Sequence, residues 1–184
     1  MLSPTVPNSI RLAVAVSVGM ALVAMWQLLR PGRVRFLPWN SEARLLLAEL
    51  GTTPPARADG VVLGEAERAG IAFRRVGRVL LGLGDPVGAE SDRISAIWRL
   101  RDLAQQEGLD PAVWRAGPGL LKIYGDLGMT ALPLGEDGLL LPESDDGQSA
   151  RNYLVCLAER GLTALLPSLP QIANEQNEEV AAAA

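Results

Sequence analysis

The hydrophobic pattern of the chain begins with an unbroken apolar run over residues 12–29, bounded by Arg11 and Arg30. As a helix this run would be roughly 27 Å long, close to the about 30 Å hydrocarbon core of a bilayer. A cleaved signal peptide would end in a small-x-small site, and Met25 to Arg30 contains none. The pattern predicts an uncleaved transmembrane helix over residues 12–29, with a buried soluble helix as the alternative.

Positive charges flank this run unequally. Arg11 alone precedes it, whereas Arg30, Arg33, Arg35 and Arg44 follow it. The positive-inside rule therefore predicts that residues 1–11 lie outside and that the larger part of the chain is cytoplasmic. Arg30, Arg33 and Arg35 are candidate contacts for lipid headgroups, and Trp26 and Trp39 are candidate interface anchors.

Small residues recur along the predicted spanning helix. Ala13, Ser17 and Ala21 are spaced four apart, and Ala15 and Gly19 form a second such pair. Small residues at this spacing let another helix approach closely, so both sets are a candidate helix–helix interface. The alternative is that they reflect only the frequency of alanine and glycine in spanning helices.

Beyond residue 30 the pattern changes to short apolar runs separated by glycine and proline. Residues 30–58 predict a juxtamembrane helix, capped by Asn40 or Ser41 and ending at Gly51, followed by a linker. Residues 59–170 predict one domain, and the acidic, alanine-ended tail at 171–184 predicts disorder. The predicted strands are 60–63, 71–76, 79–83, 112–116, 129–134, 139–141 and 162–166, and the predicted helices run from Ser91 or Asp92 to Gly108, from Pro118 to Leu127, and over 148–160. This order is typical of a mixed α/β sheet with flanking helices.

Composition narrows the chemistry. The chain has a net charge of −4, which argues against DNA as a partner, although Arg68, Arg74, Arg75 and Arg78 crowd one stretch. It has no histidine and a single cysteine, Cys156, which we expect to be a small buried residue in a helix-like segment. No metal site is predicted.

An ordered set of motifs resembles a known family. The set comprises Gly84-Asp85-Pro86-Val87-Gly88, Trp98, Tyr124, Asp126-Leu127-Gly128 and Gly135-Glu136. Residues 82–137, which contain it, resemble the cytoplasmic synthase domain of bacterial phosphatidylglycerol lysyltransferases. In that family the synthase domain contains two tandem acetyltransferase-like folds after a transmembrane bundle. The resemblance implies that this chain has one acetyltransferase-like (GNAT-like) mixed sheet, attached to the one predicted inner-membrane helix and not to a bundle. It corresponds to the N-terminal half of the family's tandem, so we expect the second half to be absent.

The family transfers an aminoacyl group from tRNA to a lipid headgroup, and this transfer needs a base. Without histidine the candidates are Asp85, Asp126 and Glu136. Each has a simpler explanation, as a turn residue or a solvated helix residue, so no catalytic residue is predicted. The loop before the helix lacks the Arg- or Gln-led pattern with which acetyltransferase-like folds bind acetyl coenzyme A, and no cofactor is predicted.

The loop Gly84, Asp85, Pro86, Val87 and Gly88 is instead a candidate anion-binding loop, because it runs from a strand into a helix N-terminus. The alternative is a structural turn. Arg74, Arg75 and Arg78 could meet anionic lipid or form a solvated edge, since strand geometry alternates their faces. Trp98 and Trp114 are expected in the core.

Two functions remain. The first is a non-catalytic, membrane-anchored interaction or structural subunit, whose partners are the bilayer and other membrane proteins. The alternative is an aminoacyl-tRNA-dependent phosphatidylglycerol aminoacyltransferase that acts with a second copy or a partner half. Only the alternative requires tRNA.

Overall fold

The structure is a computed structural model that describes residues 16–25, 32–141 and 151–183. The chain divides into two compact units, Met1–Arg33 and Val34–Ala184. In the first unit, residues 16–25 form a helix, α1, with exposed side chains. Within the described ranges, no helix combines the length and the apolar character that a membrane crossing requires. The remainder of the predicted spanning helix, residues 12–15 and 26–29, lies outside those ranges.

The second unit is built on a mixed sheet of eight strands. The strands are β1 Leu37–Pro38, β2 Gly60–Leu63, β3 Ala69–Val76, β4 Val79–Leu83, β5 Val87–Gly88, β6 Asp110–Ala116, β7 Thr130–Leu134 and β8 Asn152–Cys156. The helices are α2 Ser41–Glu49, α3 Glu90–Glu107, α4 Leu121–Asp126, α5 Ala158–Leu165 and α6 Leu169–Ala183, with a 3-10 turn at Pro118–Leu120. The strand order is β1-β2-β3-β4-β6-β8-β7, and β5 pairs with β3. This arrangement confirms the mixed α/β class.

One strand pair is parallel and sets the geometry of the molecule. β4 and β6 run side by side in the same direction, and α3 makes the crossover between them. The other strand pairs that the structure describes are antiparallel. The carboxyl ends of β4 and β6 therefore lie together at one edge of the sheet.

Helices cover both faces of the sheet. On one face α3 and α4 bury the cluster that contains Phe73, Leu100 and Tyr124. On the other face α5 and α6 bury Leu165 and Ile172 against strands β4, β6 and β8. α2 packs beside them, with a cluster of Ala43, Leu47, Val61 and Ala72. Segment 34–58, predicted as juxtamembrane, thus lies in the same compact unit as the sheet.

The local signals between residues 40 and 134 are largely confirmed. The Asn40 side chain accepts a hydrogen bond from the Ala43 N–H and caps α2, as predicted. β2 and β4 have the predicted bounds, and α3 ends at Gly108, which adopts φ +69°. The predicted cap of α3 is wrong, because Ala89 takes that position and neither Ser91 nor Asp92 does.

The C-terminal predictions are mostly wrong. Of the predicted helix 148–160, residues 152–156 form β8, which fills the space between β6 and β7. The predicted strand 162–166 lies in and directly after α5, and the predicted strand 139–141 supplies only an isolated bridge from Leu140 to Leu134. The tail predicted as disordered continues α6, which is anchored by the buried side chains of Leu169, Ile172 and Ala173.

Candidate ligand-binding site

The carboxyl ends of the parallel strands form the candidate site. Ligands of open α/β sheets bind in such crevices, where adjacent parallel strands end. β4 is followed by Gly84 and Asp85, and β6 is followed by Gly117. The Gly84 N–H donates to the Trp114 carbonyl at 2.8 Å, so the two strands stay paired up to the point where Asp85 begins.

Asp85 joins three elements at this edge. Its Oδ2 accepts a hydrogen bond from the Gly117 N–H at 2.8 Å, and its Oδ1 accepts one from the Tyr124 hydroxyl at 2.9 Å. Burial raises the pKa of the Asp85 carboxyl, against the opposing effects of these two hydrogen bonds and of the positive charge of Arg93. Burial and the neighbouring Asp85 also raise the pKa of Tyr124, so the hydroxyl stays protonated and donates.

A cavity of about 270 Å³ opens beside Asp85. It lies on the sheet face that carries α2 and α6. Its lining consists of Leu47, Thr52, Thr53, Pro54, Pro55, Gly70, Ala72, Leu83, Gly84, Asp85, Val87 and Gln176. Among these lining residues Asp85 is the only charged one, and Thr52, Thr53 and Gln176 provide the other polar side chains.

Polar contacts hold α6 on both sides of the cavity residue Gln176. The preceding residue, Glu175, accepts a hydrogen bond from Arg74 at 2.7 Å and one from Gln171 at 3.0 Å. The following residue, Asn177, accepts one from Arg115 at 2.8 Å. The C-terminal helix is therefore fixed as one wall of the cavity.

The loop from Gly84 to Gly88 packs tightly against β3. Gly88 has φ +106°, and a Cβ on it would lie 2.3 Å from the Arg68 carbonyl oxygen. That same oxygen accepts the Ala89 N–H at 2.9 Å. The loop therefore acts as a structural turn, which was the alternative to anion binding. Anion binding by Gly84, Asp85, Pro86, Val87 and Gly88 stays a prediction.

The other candidate residues lie elsewhere. Asp126 is exposed at the last residue of α4, and Glu136 is exposed in the turn after β7, so of the three candidate carboxylates Asp85 is the one at the ends of the parallel pair β4–β6. Arg74 pairs with Glu175 on α6, while Arg75 pairs with Glu107 on α3 at 2.6 Å. Since α6 and α3 cover opposite faces, alternation along β3 separates the two arginines as predicted; Arg78 is exposed.

Two of the three core predictions are confirmed. Trp114 is 3% exposed, and its indole N–H donates to the Gly138 carbonyl. Cys156 is buried, although on strand β8 and not in a helix. The prediction for Trp98 is wrong, because its ring is 42% exposed on the outer side of α3 under the Arg101 guanidinium.

The predicted membrane contacts are only partly described. Ser17, Gly19 and Ala21 lie on α1, and Arg33 and Arg35 are exposed. Ala13, Ala15 and Arg30 lie outside the described residues. Within the described ranges no group of three or more histidine, cysteine or acidic side chains is placed to hold a metal ion.

The role of Asp92 as a buried hydrogen-bond acceptor was not predicted from the sequence. Asp92 is 4% exposed and accepts hydrogen bonds from the N–H groups of Ala66, Arg68 and Ala69 and from the Ser95 hydroxyl. Burial opposes its ionisation, but these hydrogen bonds outweigh burial and lower its pKa to about 2. An acidic residue in the first turn of a helix normally indicates only a favourable dipole interaction, so the sequence carried no sharper signal.

Arg115 was also missed. It lies at an irregularity of β6, where the register with β8 shifts between Val113 and Ala116. Its backbone has φ +57°, a conformation that side chains other than glycine rarely adopt. The Arg115 guanidinium lies 4.5 Å from the centre of the Trp114 ring, and it binds Asn177 and the Glu136 carbonyl.

The fold and the site define a mixed α/β domain with a small cavity at the end of a parallel strand pair. The model of the family "Phosphatidylglycerol lysyltransferase, C-terminal" matches residues 56–164. The chain belongs to this family. The match includes the parallel pair, Asp85 and Tyr124, and it confirms the resemblance inferred from the motifs as that of a partial synthase domain.

Similar proteins whose names refer to lysylphosphatidylglycerol biosynthesis are much longer chains. The lysylphosphatidylglycerol biosynthesis bifunctional protein LysX of Mycobacterium marinum is 29% identical over 135 residues, which cover 71% of this chain and 12% of LysX. LysX of Mycolicibacterium vanbaalenii is 34% identical over 94 residues, covering 51% of this chain and 8% of that one. This chain thus spans only 12% of the length of LysX from Mycobacterium marinum and 8% of the length of LysX from Mycolicibacterium vanbaalenii.

Two solved structures are similar over about half of the chain. One is the C-terminal domain of a putative lysylphosphatidylglycerol synthetase from Agrobacterium fabrum, with 25% identity, a TM-score of 0.48, and coverage of 53% of this chain and 33% of that one. The other is L-PGS from Bacillus licheniformis, with 23% identity, a TM-score of 0.48, and coverage of 56% and 34%.

Proposed function

We propose that this chain is a non-catalytic, membrane-anchored interaction subunit of a larger membrane complex. In this proposal its domain is one acetyltransferase-like half of a lysylphosphatidylglycerol synthase domain, and residues 12–29 are a single inner-membrane helix. Family membership and the long apolar run support it. The charge asymmetry across that run supports an external N-terminus and a cytoplasmic domain.

The observation that carries the non-catalytic part is the environment of Asp85. A carboxylate that acts as a general base must be directed at the proton that it takes from the substrate. Both Asp85 oxygens already accept hydrogen bonds that link β4 to Gly117 and Tyr124. In this proposal the carboxylate supports the strand ends and takes no proton from a substrate.

Two other candidate nucleophiles, Tyr124 beside Asp85 and Cys156 opposite Ala112 on β6, are also poor ones. Burial and Asp85 raise the pKa of Tyr124, and burial raises the pKa of the Cys156 thiol, which favours the unreactive protonated form of each. The sequence contains no histidine. These properties favour a structural role over aminoacyl transfer.

The family name supplies the one argument for the alternative, an aminoacyl-tRNA-dependent phosphatidylglycerol aminoacyltransferase. The direct test is to incubate the full-length chain, in vesicles containing phosphatidylglycerol, with lysyl-tRNA and to measure aminoacylated lipid by mass spectrometry. We expect no product above protein-free vesicles, with a complete lysylphosphatidylglycerol synthase as the positive control. Product that is lost in a folded Asp85→Asn variant would establish the alternative.

The interaction role has its own test on the predicted helix face. The full-length chain is purified from its native membranes, and co-purifying proteins are quantified. The triple variant Ala13→Leu, Ser17→Leu and Ala21→Leu should lose stoichiometric partners, because leucine prevents close helix approach. Val16→Leu on the same helix adds bulk outside both rows of small residues and should keep the partners. Unchanged partners in the triple variant would remove this interface from the proposal.

A further inference from the structure

We propose that the C-terminal half of α6, residues 174–183, is a releasable lid on the cavity, and that it leaves the sheet when its ion pairs break. The N-terminal half, residues 169–173, stays bound. Gln176, in the releasable half, lines the cavity, so this movement opens one wall to solvent. α6 lies after residues 56–164, and the lid therefore belongs to a part of the chain outside the family match. The inference does not depend on the interaction role, because a wall can open in an active or an inactive chain.

Apolar burial holds the N-terminal half of α6. Leu169, Ile172 and Ala173 are each at most 2% exposed. They pack in one cluster with Leu165 of α5 and Cys156 of β8. Burial of apolar side chains contributes about 25 cal/mol per Å² and involves no charges that salt could screen. This half should therefore stay bound when ionic contacts are broken.

Polar contacts hold the C-terminal half. Residues 174–177 are exposed or half-buried. Glu175 accepts a hydrogen bond from Arg74 of β3 at 2.7 Å, and Asn177 accepts one from Arg115 of β6 at 2.8 Å. The side chains of Arg74 and Glu175 are 19% and 21% exposed, so water and ions reach this pair. Segments with few buried apolar contacts open locally at free energies below that of global unfolding.

Glu175 also connects α6 to another wall of the cavity. Arg57 lies in the loop between α2 and β2, and Pro54 and Pro55 of that loop line the cavity. The Arg57 Nη1 atom is 3.5 Å from the Glu175 Oε1 atom. One carboxylate therefore joins the lid to the sheet through Arg74 and to the loop through Arg57. A change at Glu175 breaks both connections at once.

The experiment compares the reactivity of two buried thiols in the full-length chain in detergent micelles. The reagent is 4,4′-dithiodipyridine, which is uncharged, so salt does not alter its attraction to the protein. Cys156 reports on the apolar half of α6. Ala72→Cys, in a chain that also carries Cys156→Ala, reports on the cavity, because Ala72 lines it and is 4% exposed.

Glu175→Gln should open the lid more often without loosening the rest of the fold. We expect the reaction at position 72 to become about tenfold faster, the factor that corresponds to losing about 1.4 kcal/mol of charge-assisted hydrogen bonding. The reaction of Cys156 should change by less than about twofold. Equal acceleration at both positions would indicate global loosening and would overturn the proposal.

Glu107→Gln is the matched control. Glu107 pairs with Arg75 at 2.6 Å on the face of the sheet that carries α3, so the same substitution breaks an ion pair away from α6. It should leave the rate at position 72 unchanged. If Glu107→Gln accelerates that reaction as much as Glu175→Gln does, the effect is not specific to the lid and the proposal is wrong.

Salt tests the lid without any change at Glu175, and it decides the matter if Glu175→Gln does not fold. Raising NaCl from about 0.1 M to about 1 M shortens the screening length from about 10 Å to about 3 Å. The reaction at position 72 should become at least about twofold faster, and that of Cys156 should not. A rate at position 72 that does not respond to salt refutes the proposal. An equal salt response in folded Glu175→Gln would assign the response to other charges, with the same consequence.

Discussion

Asp85 and Asp92 lie seven positions apart on either side of the start of α3, and their environments are opposite. Asp92 is almost completely buried, and three backbone N–H groups and one hydroxyl surround its carboxylate. Asp85 is half-buried, has two donors and lines a cavity. Burial alone disfavours both charges, but only Asp92 has enough donors to reverse that effect.

The contrast separates a carboxylate that is enclosed by donors from one that has two donors and borders a cavity. Asp92 fixes the turn between β2 and β3 onto α3, and even a Cβ on Gly64 would overlap its carboxylate. Asp85 accepts two hydrogen bonds and lines the cavity. Substitutions at the two carboxylates and at their neighbours test this difference.

Asp92→Asn should be strongly destabilising. Asparagine offers one acceptor oxygen and turns an NH₂ group toward the donors of Ala66, Arg68 and Ala69, which leaves buried N–H groups unpaired. We expect the free energy of unfolding to fall by about 3 kcal/mol in urea denaturation of the full-length chain. Asp102→Asn, on the exposed side of α3, should change it by less than about 0.5 kcal/mol. Equal effects of the two variants would refute the structural role of Asp92.

The two carboxylates should have opposite pH dependence. The folded-state pKa of Asp92 is about 2, below the unfolded value near 3.9, so its stabilisation is present above about pH 4 and is lost as pH falls toward 2. The loss should be about 2 kcal/mol. The folded-state pKa of Asp85 is raised, so its contribution is present at low pH and is lost as pH rises through the raised value.

Unfolding measured from pH 2 to pH 6 checks this sign. Asp92→Asn should flatten the acid limb of the stability profile, and Asp102→Asn should leave it as in the wild type. Asp85→Asn should not flatten it, because Asp85 favours the protonated state on folding. A profile in which Asp92→Asn retains the full acid limb would assign that limb to other carboxylates.

Tyr124→Phe should remove one hydrogen bond to Asp85 without creating a cavity in the core. The variant removes the hydroxyl that donates to Asp85 Oδ1 at 2.9 Å and keeps the buried ring. We expect a loss of about 1 kcal/mol in the free energy of unfolding and a further rise in the Asp85 pKa, measured from its carboxyl ¹³C shift. Tyr153→Phe removes the hydroxyl of the chain's other tyrosine and should leave the Asp85 pKa unchanged. An unchanged Asp85 pKa in Tyr124→Phe would contradict the hydrogen bond between Tyr124 and Asp85.

The parts of this fold that could be predicted have local signals. β2 and β4 are short apolar runs beside glycine, Asn40 is a standard helix cap, and Gly108 ends α3 with a positive φ. The position of Asp85 after a strand could also be predicted from the sequence. The cavity beside Asp85 could not, because one of its walls comes from α6. The apolar residues of α6 lie on both sides of residue 170, where the predicted domain ended.

The missed features depend on contacts that are distant in sequence. The backbone donors to Asp92 lie 23 to 26 positions before it, so no spacing rule connects them. β8 is a strand because β6 and β7 pair with it on both sides, and its apolar run fits a buried helix equally well. Trp98 was expected in the core because its spacing along α3 follows the apolar side chains, yet the ring lies at the exposed edge of that stripe.

The irregularity at Arg115 links the strand geometry to Asp85 and supports the smallest prediction. Arg115 has φ +57°, and two residues later the Gly117 N–H donates to Asp85. Arg115→Gly and Arg115→Ala both remove the contacts with Trp114 and Asn177, so the difference between them reports the backbone alone. Glycine adopts this conformation without the roughly 1 kcal/mol cost of a Cβ, and the glycine variant should be more stable than the alanine variant by up to that amount. At exposed Arg68, the glycine variant should be no more stable than the alanine variant. At position 115, an alanine variant as stable as the glycine variant would show that the irregularity of β6 relaxes and that other contacts position Gly117.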